Sequence, residues 1–92
     1  MIRFLVNDDA QDMSILHAKS FYASWSEEDM LSHIKKDLCF GFSRPVHGFI
    51  IVSLVEGQAE IITIAVDPNK MRKGIASALL SISETELIDN GA

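Results

Sequence analysis

The segment Ile61–Leu80 constrains the fold of this chain more than any other stretch. It begins as an apolar strand, turns at Asp67–Asn69, continues as a loop around Gly74 and ends as an amphipathic helix. A helix N-terminus leaves backbone N–H groups unpaired and carries a partial positive charge. Gly74 has no Cβ, so the backbone there can approach a ligand closely. Three of the chain's eight basic residues surround the turn: Lys70, Arg72 and Lys73. This order predicts a cradle for a pyrophosphate-like anion.

A solvated basic turn is the alternative interpretation of this loop. Basic side chains at a helix N-terminus oppose the helix dipole by about 0.3–1 kcal/mol each, which a bound anion would offset. A nucleotide-binding P-loop would require Gly-Lys-Ser/Thr, and Gly74–Ala76 reads Gly-Ile-Ala. A dinucleotide-binding fold would require two further glycines in the loop. Neither of those phosphate-binding classes is predicted.

Length, composition and charge exclude several classes of protein. The 92 residues suffice for one small domain spanning residues 1–92, and 48% hydrophobic residues favour a folded chain. The net charge of −5 argues against general nucleic-acid binding, which requires a basic surface. No apolar run approaches the roughly 20 residues that cross a bilayer, and the N-terminus lacks a signal-peptide core. We therefore expect a cytoplasmic protein with neither nucleic-acid nor membrane partners.

The cysteine and histidine content predicts no metal site. The single Cys39 cannot form an internal disulfide, and its apolar surroundings predict a packed thiol. The three histidines, His17, His33 and His47, have no mutual spacing typical of metal ligands. We interpret them as structural or surface residues. Tyr22 and Trp25 are likewise predicted to pack, with Trp25 joining two helices.

The hydrophobic patterning predicts a chain order of β-α-α-β-β-β-α. The predicted strands are Ile2–Val6, Leu38–Ser43, Val46–Val55 and Gln58–Val66; the predicted helices run from a cap at Asn7–Asp9 to about Ser20, from the N-cap Ser26 to Lys36, and from about Gly74 to Asp89. Glu56-Gly57 is a tight hairpin signal, and Asn90-Gly91 is a helix stop. The last three strands therefore form a meander.

The stretch Ile64–Leu80 resembles the acetyl-CoA-binding motif of the GCN5-related N-acetyltransferase (GNAT) superfamily. The family loop reads Gln/Arg-x-x-Gly-x-Gly/Ala; the chain matches it at Gly74 and Ala76 and departs from it at Met71. In this family backbone N–H groups do most of the phosphate binding, so the departure removes only a side-chain contact. The resemblance implies an α/β (α+β) fold whose mixed, mostly antiparallel sheet is flanked by helices.

The resemblance also implies which residues bind the cofactor, acetyl-CoA. The end of the last strand would contact the pantetheine arm, with the N–H of Val66 facing the thioester oxygen. The loop and first helical turn would hold the diphosphate. The implied cofactor-binding residues are Ile64, Ala65, Val66, Met71, Arg72, Lys73, Gly74, Ile75 and Ala76. The alternative is that the three strand residues are ordinary buried strand.

Two stretches are similar to the RimI-type branch, which acetylates the N-terminal alanine of a ribosomal protein. One is Ile64–Pro68, and the other runs from His17 through Phe21 to Trp25-Ser26-Glu27, where Ser24 takes the place of the branch's proline. This similarity implies that the acceptor is a protein or peptide N-terminus. An α-amine has a pKa near ~8, so it loses its proton more readily than a lysine at ~10.4.

Family members continue with a further strand, a helix and a closing strand pair, so the chain looks like a C-terminally truncated domain. In the RimI-type branch, the general base and the acid lie in that continuation. In the histone-acetyltransferase branch the base is instead a Glu in a Glu-Ile-x-x-x-Ala run, which Glu60–Ala65 matches. Glu60 is therefore the candidate catalytic residue, and a solvated charge at the strand's edge is the alternative.

Two classes of function follow from this pattern. One is an N-acetyltransferase that uses acetyl-CoA; the other is a non-catalytic remnant that binds CoA weakly or only self-associates. A truncated sheet would leave the strand Gln58–Val66 unpaired on one side, and free edges pair with other chains. We therefore expect a homo-oligomer formed through this strand.

Overall fold

The computed structural model describes residues 2–20, 25–70 and 74–89. Its elements, in chain order, are β1 (Ile2–Phe4), α1 (Ala10–Ser20), α2 (Glu27–Lys36), β2 (Leu38–Phe42), β3 (Gly48–Val55), β4 (Gln58–Val66) and α3 (Ile75–Asp89), with 3₁₀ turns at Asn7–Asp9 and Pro68–Lys70. The predicted order is confirmed. The helix stop predicted at Asn90-Gly91, the connector residues Phe21, Tyr22 and Ser24, and the loop residues Met71, Arg72 and Lys73 lie outside the described residues.

The four strands form one sheet in the order β1-β2-β3-β4. Every pair of neighbours is antiparallel among these strands, so the expected mixed, mostly antiparallel sheet is wholly antiparallel in the part that is described. Three predicted strands were longer than the observed ones. β2 ends at Phe42 and not at the predicted Ser43. β1 ends at Phe4 because Val6 caps the following 3₁₀ turn. β3 begins at Gly48 because residues 43–46 form a turn with Ser43 at a φ of 62°.

The core lies on both faces of β3. Residues 49–52 of this strand are completely buried. Phe49 and Ile51 belong to the cluster that α1 and α2 cover. Ile50 and Val52 belong to the cluster that α3 covers. A strand buried on both faces needs no polar alternation, which explains why its sequence is a continuous apolar run.

A β-bulge divides β4 into two halves. Ile51 pairs with Thr63 and Val52 pairs with Ile61, so Ile62 has no opposite residue on β3. Beyond the bulge, Ala65 is buried against the α1/α2 side of the sheet. Before it, residues 58–61 are all exposed. The bulge therefore separates a buried C-terminal half of β4 from a solvated N-terminal half.

Helix α2 begins where the sequence predicts, at a capping box. Ser26 Oγ accepts a hydrogen bond from the N–H of Asp29 at 3.1 Å, and the Asp29 carboxylate accepts one from the N–H of Ser26 at 3.0 Å. This reciprocal pair satisfies two backbone donors at the helix start. Acidic residues fill the first turn and His33, Lys35 and Lys36 the last, in keeping with the helix dipole.

Trp25 joins α1 to α2, as predicted. Its ring stacks on His17 of α1 with centroids 4.7 Å apart and on His33 of α2 with centroids 5.0 Å apart. The backbone N–H of Trp25 donates to Nδ1 of His17 at 3.3 Å, and Ser14 Oγ donates to the backbone carbonyl of Trp25 at 2.7 Å. Burial lowers the pKa of His17, which favours the neutral ring that can accept this bond. Both histidines are therefore structural.

A partly buried ion pair connects β1 to the turn that precedes α1. The guanidinium of Arg3 donates to both carboxylate oxygens of Asp9, each at 2.7 Å, and the N–H of Val6 donates to Asp9 Oδ2 at 2.8 Å. These bonds hold the pKa of the Asp9 carboxyl below its usual range. The ion pair therefore stabilises the folded chain fully at pH values above the ordinary pKa of a carboxyl. This stabilisation is lost as the pH falls through the lowered pKa of Asp9.

We predict that Asp9→Asn lowers the free energy of unfolding by about 3 kcal/mol, because the amide places an NH₂ group where donors converge and leaves Arg3 without its counterion. Urea denaturation followed by circular dichroism measures the loss. Asp8→Asn changes the same charge at an exposed neighbour and should cost less than about 0.5 kcal/mol. Equal losses in the two variants would contradict the role given to the ion pair.

Candidate functional site

The C-terminal half of β4 presents backbone donors to the outer edge of the sheet. The N–H of Asp67 donates to the carbonyl of His47 at 2.8 Å, so this N–H points toward β3. Successive backbone N–H groups of a strand point to opposite edges. The N–H groups of Val66 and Ile64 therefore point away from β3, toward the edge that no described strand pairs. This is the orientation that the predicted contact between Val66 and a thioester oxygen requires.

The start of α3 lies against the start of β3, and glycine makes this possible. A Cβ added to Gly48 would lie 2.7 Å from Cγ2 of Ile75, closer than such atoms approach. Ile75 is the first residue of α3 and is buried. Gly48 pairs with Val66 across the sheet. The contact therefore sets the helix N-terminus beside the end of β4.

Gly74 precedes α3 in an open position. Its φ is 76°, a left-handed conformation that favours glycine, and a Cβ built there would meet nothing within 4 Å. Its carbonyl accepts the first helical hydrogen bond, from the N–H of Ala78 at 3.0 Å. The N–H groups in the first turn of an α-helix have no intrahelical acceptor. The surface above Gly74 and Ala76 can therefore receive an anion through backbone donors.

Six of the nine predicted cofactor-binding residues are described, and the fold brings them to one end of the sheet. Ile64, Ala65 and Val66 end β4, Gly74 directly precedes α3, and Ile75 and Ala76 begin α3. The side chain of Ile75 is buried in the core, while Ala76 is exposed. Ile75 can therefore contribute only its backbone to a ligand. The other three residues, Met71, Arg72 and Lys73, lie outside the described part of the chain.

Glu60 lies apart from this group. It pairs with Ser53 in the solvated half of β4 and lines a shallow surface hollow of about 200 Å³ with Glu56 and Gln58. At about 3.3 Å per residue, its backbone is about 13 Å from that of Ile64 along the strand. The bulge at Ile62 lies between the two. The catalytic role of Glu60 stays a prediction.

Cys39 does not join the site. It is buried in β2, as its sequence context predicts, and burial raises the pKa of its thiol to about 12. It is therefore not a thiolate at neutral pH. Within residues 2–20, 25–70 and 74–89, no group of three or more His, Cys, Asp or Glu side chains could hold a metal ion. In the same ranges, no helix is both long and apolar enough to cross a bilayer.

The sequence pattern missed the role of Gly48. The predicted strand Val46–Val55 contains this glycine in its interior, whereas Gly48 begins β3 and admits Ile75. A glycine inside an apolar, β-branched run is a recognised signal of close backbone approach. That signal was present in the sequence, but the element that would approach could not be identified from it.

Comparison with known families settles the class of protein. The sequence model of the acetyltransferase (GNAT) family matches residues 9–92. The chain belongs to this family. The match includes β4, α3 and the residues between them, so the candidate cofactor site lies inside it. A comparison with curated protein sequences finds no match.

Solved GNAT structures share the fold. The ribosomal-protein-S18-alanine N-acetyltransferase from Escherichia coli is 28% identical, with a TM-score of 0.87 over 99% of this chain and 61% of that one. The PaiA N-acetyltransferase from Thermoplasma acidophilum, solved with coenzyme A, is 22% identical, with a TM-score of 0.88 over 99% and 73%. Ard1 from Thermoplasma volcanium is 21% identical, with a TM-score of 0.87 over 99% and 65%. The chain thus spans 61% of the length of the first of these proteins.

We predict that Gly48→Ala lowers the free energy of unfolding by about 2 kcal/mol, because the new methyl group overlaps Ile75. Gly74→Ala, which meets no atom, should cost about 1 kcal/mol through its left-handed backbone alone. Urea denaturation measures both losses. In an Ile75→Ala background the Gly48→Ala loss should shrink, because the overlap is gone. Strictly additive losses in this double-mutant cycle would contradict the proposed contact.

Proposed function

We propose that this fold serves an N-acetyltransferase that moves an acetyl group from acetyl-CoA to a protein N-terminal α-amine. One observation carries the proposal: the outward N–H groups at the end of β4 lie beside the open helix N-terminus at Gly74. Family membership and the similarity to the Escherichia coli S18-alanine enzyme support it. The reaction belongs in the cytoplasm, and neither nucleic acid nor membrane is a partner in it.

The cofactor is assigned to the two groups of backbone donors. The diphosphate lies over Gly74, Ile75 and Ala76, with Met71, Arg72 and Lys73 in the preceding loop. The pantetheine arm follows Ile64, Ala65 and Val66. The relative from Thermoplasma acidophilum was solved with coenzyme A, which supports this class of ligand. No metal takes part.

The transfer is a direct attack of a neutral amine on the thioester. The new N–C bond forms as the C–S bond breaks, the CoA thiolate leaves, and the amine proton passes to a base. The N–H of Val66 donates to the thioester oxygen, which gains negative charge in the transition state. A donor that is already oriented toward this oxygen lowers the barrier, because it need not reorganise during the reaction. An N-terminal amine needs less help to lose its proton than a lysine does. Glu60 is the candidate base within this chain; because its backbone lies about 13 Å along β4 from that of Ile64, the proton would pass to it through intervening water molecules.

Turnover on one peptide tests this function. The peptide begins with a free alanine and carries one internal lysine, and mass spectrometry locates the acetyl group. We expect acetylation of the α-amine before the lysine. Glu60→Gln should lower the rate about 100-fold if Glu60 is the base. Glu56→Gln, at the other exposed carboxylate of the same hollow, should leave the rate unchanged.

Two results would overturn parts of this account. An unchanged rate in Glu60→Gln would remove Glu60 from catalysis. Binding of acetyl-CoA with no transfer to either amine would contradict the enzymatic function and favour a non-catalytic CoA-binding domain.

We further propose that the 92-residue chain forms homo-oligomers through β4. The strand pairs only with β3 among the described strands, and its exposed half carries one charged side chain, Glu60, and the half-exposed Ile61. An edge that no lysine or proline protects is a template for pairing with a second copy.

Sedimentation velocity tests this association. We expect the wild-type chain to sediment as an oligomer at high concentration and Ile61→Lys to sediment as a monomer, because a lysine on an edge strand opposes pairing. Ile15→Lys is the matched control: Ile15 on α1 is 52% exposed and Ile61 is 51% exposed. This control should associate as the wild type does. A monomeric wild type at every concentration would contradict the proposal.

A further inference from the structure

Asp67 lies at the junction of four parts of the fold. Its N–H donates to the carbonyl of His47 at 2.8 Å, and its own carbonyl accepts from the N–H of Lys70 at 2.8 Å. Its Oδ1 accepts from the N–H of Asn69 at 2.9 Å. Its Oδ2 lies 3.9 Å from Nζ of Lys19, at the end of α1. One residue thus connects the end of β4, the turn Pro68–Lys70, the β2–β3 connection and α1.

The β2–β3 connection that receives Asp67 is itself well fixed. The N–H of His47 donates to the carbonyl of Phe42 at 2.9 Å. Ser43 Oγ donates to the carbonyl of Pro45 at 2.8 Å, so it accepts from Nδ1–H of His47 at 3.0 Å. The carbonyl that accepts from Asp67 therefore belongs to a residue held through both its backbone and its ring.

Two consecutive residues consequently hold both ends of the connection between β4 and α3. His47 accepts from Asp67 at the beginning of the connection. Gly48 receives Ile75 at its end. The donors assigned to the cofactor, at Val66 and Gly74, lie directly beside these two fixed points. Their separation is thus set by His47 and Gly48, to which no cofactor contact is assigned.

The negative charge of Asp67 also indicates that this residue acts through its hydrogen bonds. A carboxylate near an anion site repels the anion, so electrostatics alone would disfavour an aspartate here. Its side chain is 15% exposed, and both of its oxygens face other groups: the Asn69 N–H and the Lys19 ammonium. The ion pair contributes little, because Lys19 is half-exposed and the gap is long. The bond to the Asn69 N–H is the specific contact.

We infer that Asp67 is a positioning residue for cofactor binding: its side chain fixes the start of the loop and thereby holds the donors at Val66 and Gly74 at the spacing that acetyl-CoA requires. This inference rests on the proposed function. Asp67 plays this role because its Oδ1 accepts a hydrogen bond. An asparagine side chain also has an acceptor oxygen at this position, and an alanine side chain has none. A purely electrostatic role would instead be changed alike by both substitutions.

Calorimetric titration with acetyl-CoA tests the inference. Asp67→Ala should raise the dissociation constant about 3- to 10-fold, the effect of losing one hydrogen bond that preorganises the site. Asp67→Asn keeps an acceptor oxygen and should stay within about 2-fold of the wild type. Lys19→Gln removes only the ion pair and should also stay within about 2-fold. The fluorescence of the single Trp25 and circular dichroism confirm that each variant is folded.

Two outcomes would overturn the positioning role: wild-type affinity in Asp67→Ala, or a loss in Asp67→Asn as large as that in Asp67→Ala. If Asp67→Ala does not fold, Asn69→Pro, which removes the donor instead of the acceptor, takes its place with the same expected loss. Wild-type affinity in that variant would equally overturn the role.

Hydrogen exchange separates this inference from the proposed function. If the wild type does not bind acetyl-CoA, the proposed function fails. Hydrogen exchange of the Asn69 amide, measured without ligand, still tests whether Asp67 Oδ1 holds the start of the loop. We expect that amide to exchange faster in Asp67→Ala than in the wild type and at the wild-type rate in Asp67→Asn. Equal exchange in all three proteins would overturn the anchoring role.

Discussion

The close approach of α3 to β3 at Gly48 is the contact on which the candidate functional site of this molecule depends. Without a Cβ at Gly48, Ile75 packs directly against the sheet, and the first turn of α3 comes to lie beside the end of β4. A helix N-terminus and a strand edge each offer only a few unpaired N–H groups. Brought side by side, they form an extended row of donors suited to a ligand that carries both a diphosphate and a carbonyl.

The rest of the fold supports this contact. β3 is buried on both faces, so α3 on one side and α1 with α2 on the other form two cores that share one strand. Displacing α3 would expose the core that Ile50 and Val52 share with it. The bulge in β4 then confines the well-packed region to the C-terminal half of that strand. The site is therefore built on the most constrained part of the sheet, while Glu60 lies on the solvated part.

Local signals in the sequence predicted the elements well. Ser26 and Asp29 form the capping box that begins α2, and Glu56-Gly57 connects β3 to β4 with strand bounds of Gln58–Val66 as predicted. These features depend on residues only a few positions apart, so the sequence alone determines them. The family resemblance identified a cofactor loop. The family match over residues 9–92 confirms the family, and the role of the loop stays a prediction.

Contacts between distant residues could not be predicted in the same way. The sequence predicted that Trp25 joins two helices but did not identify His17 and His33 as the rings it stacks on, nor Asp9 as the partner of Arg3. The bulge at Ile62 could not be predicted from the sequence either. Residues 61, 62 and 64 are all isoleucine, so the sequence does not indicate which of them lie on the same face of the sheet. The start of β3 was placed two residues early because the turn before it depends on the backbone of Ser43.

The central claim is that backbone donors at the start of α3 and the end of β4 bind acetyl-CoA together. A titration of the isotopically labelled chain with acetyl-CoA, followed by amide NMR, tests it most directly. We expect the signals of Gly74, Ala76, Ile64 and Val66 to shift along one saturable curve, while the amides of β1 and α2 stay in place. Unmoved signals at these four residues in a folded sample at saturating acetyl-CoA would contradict the claim.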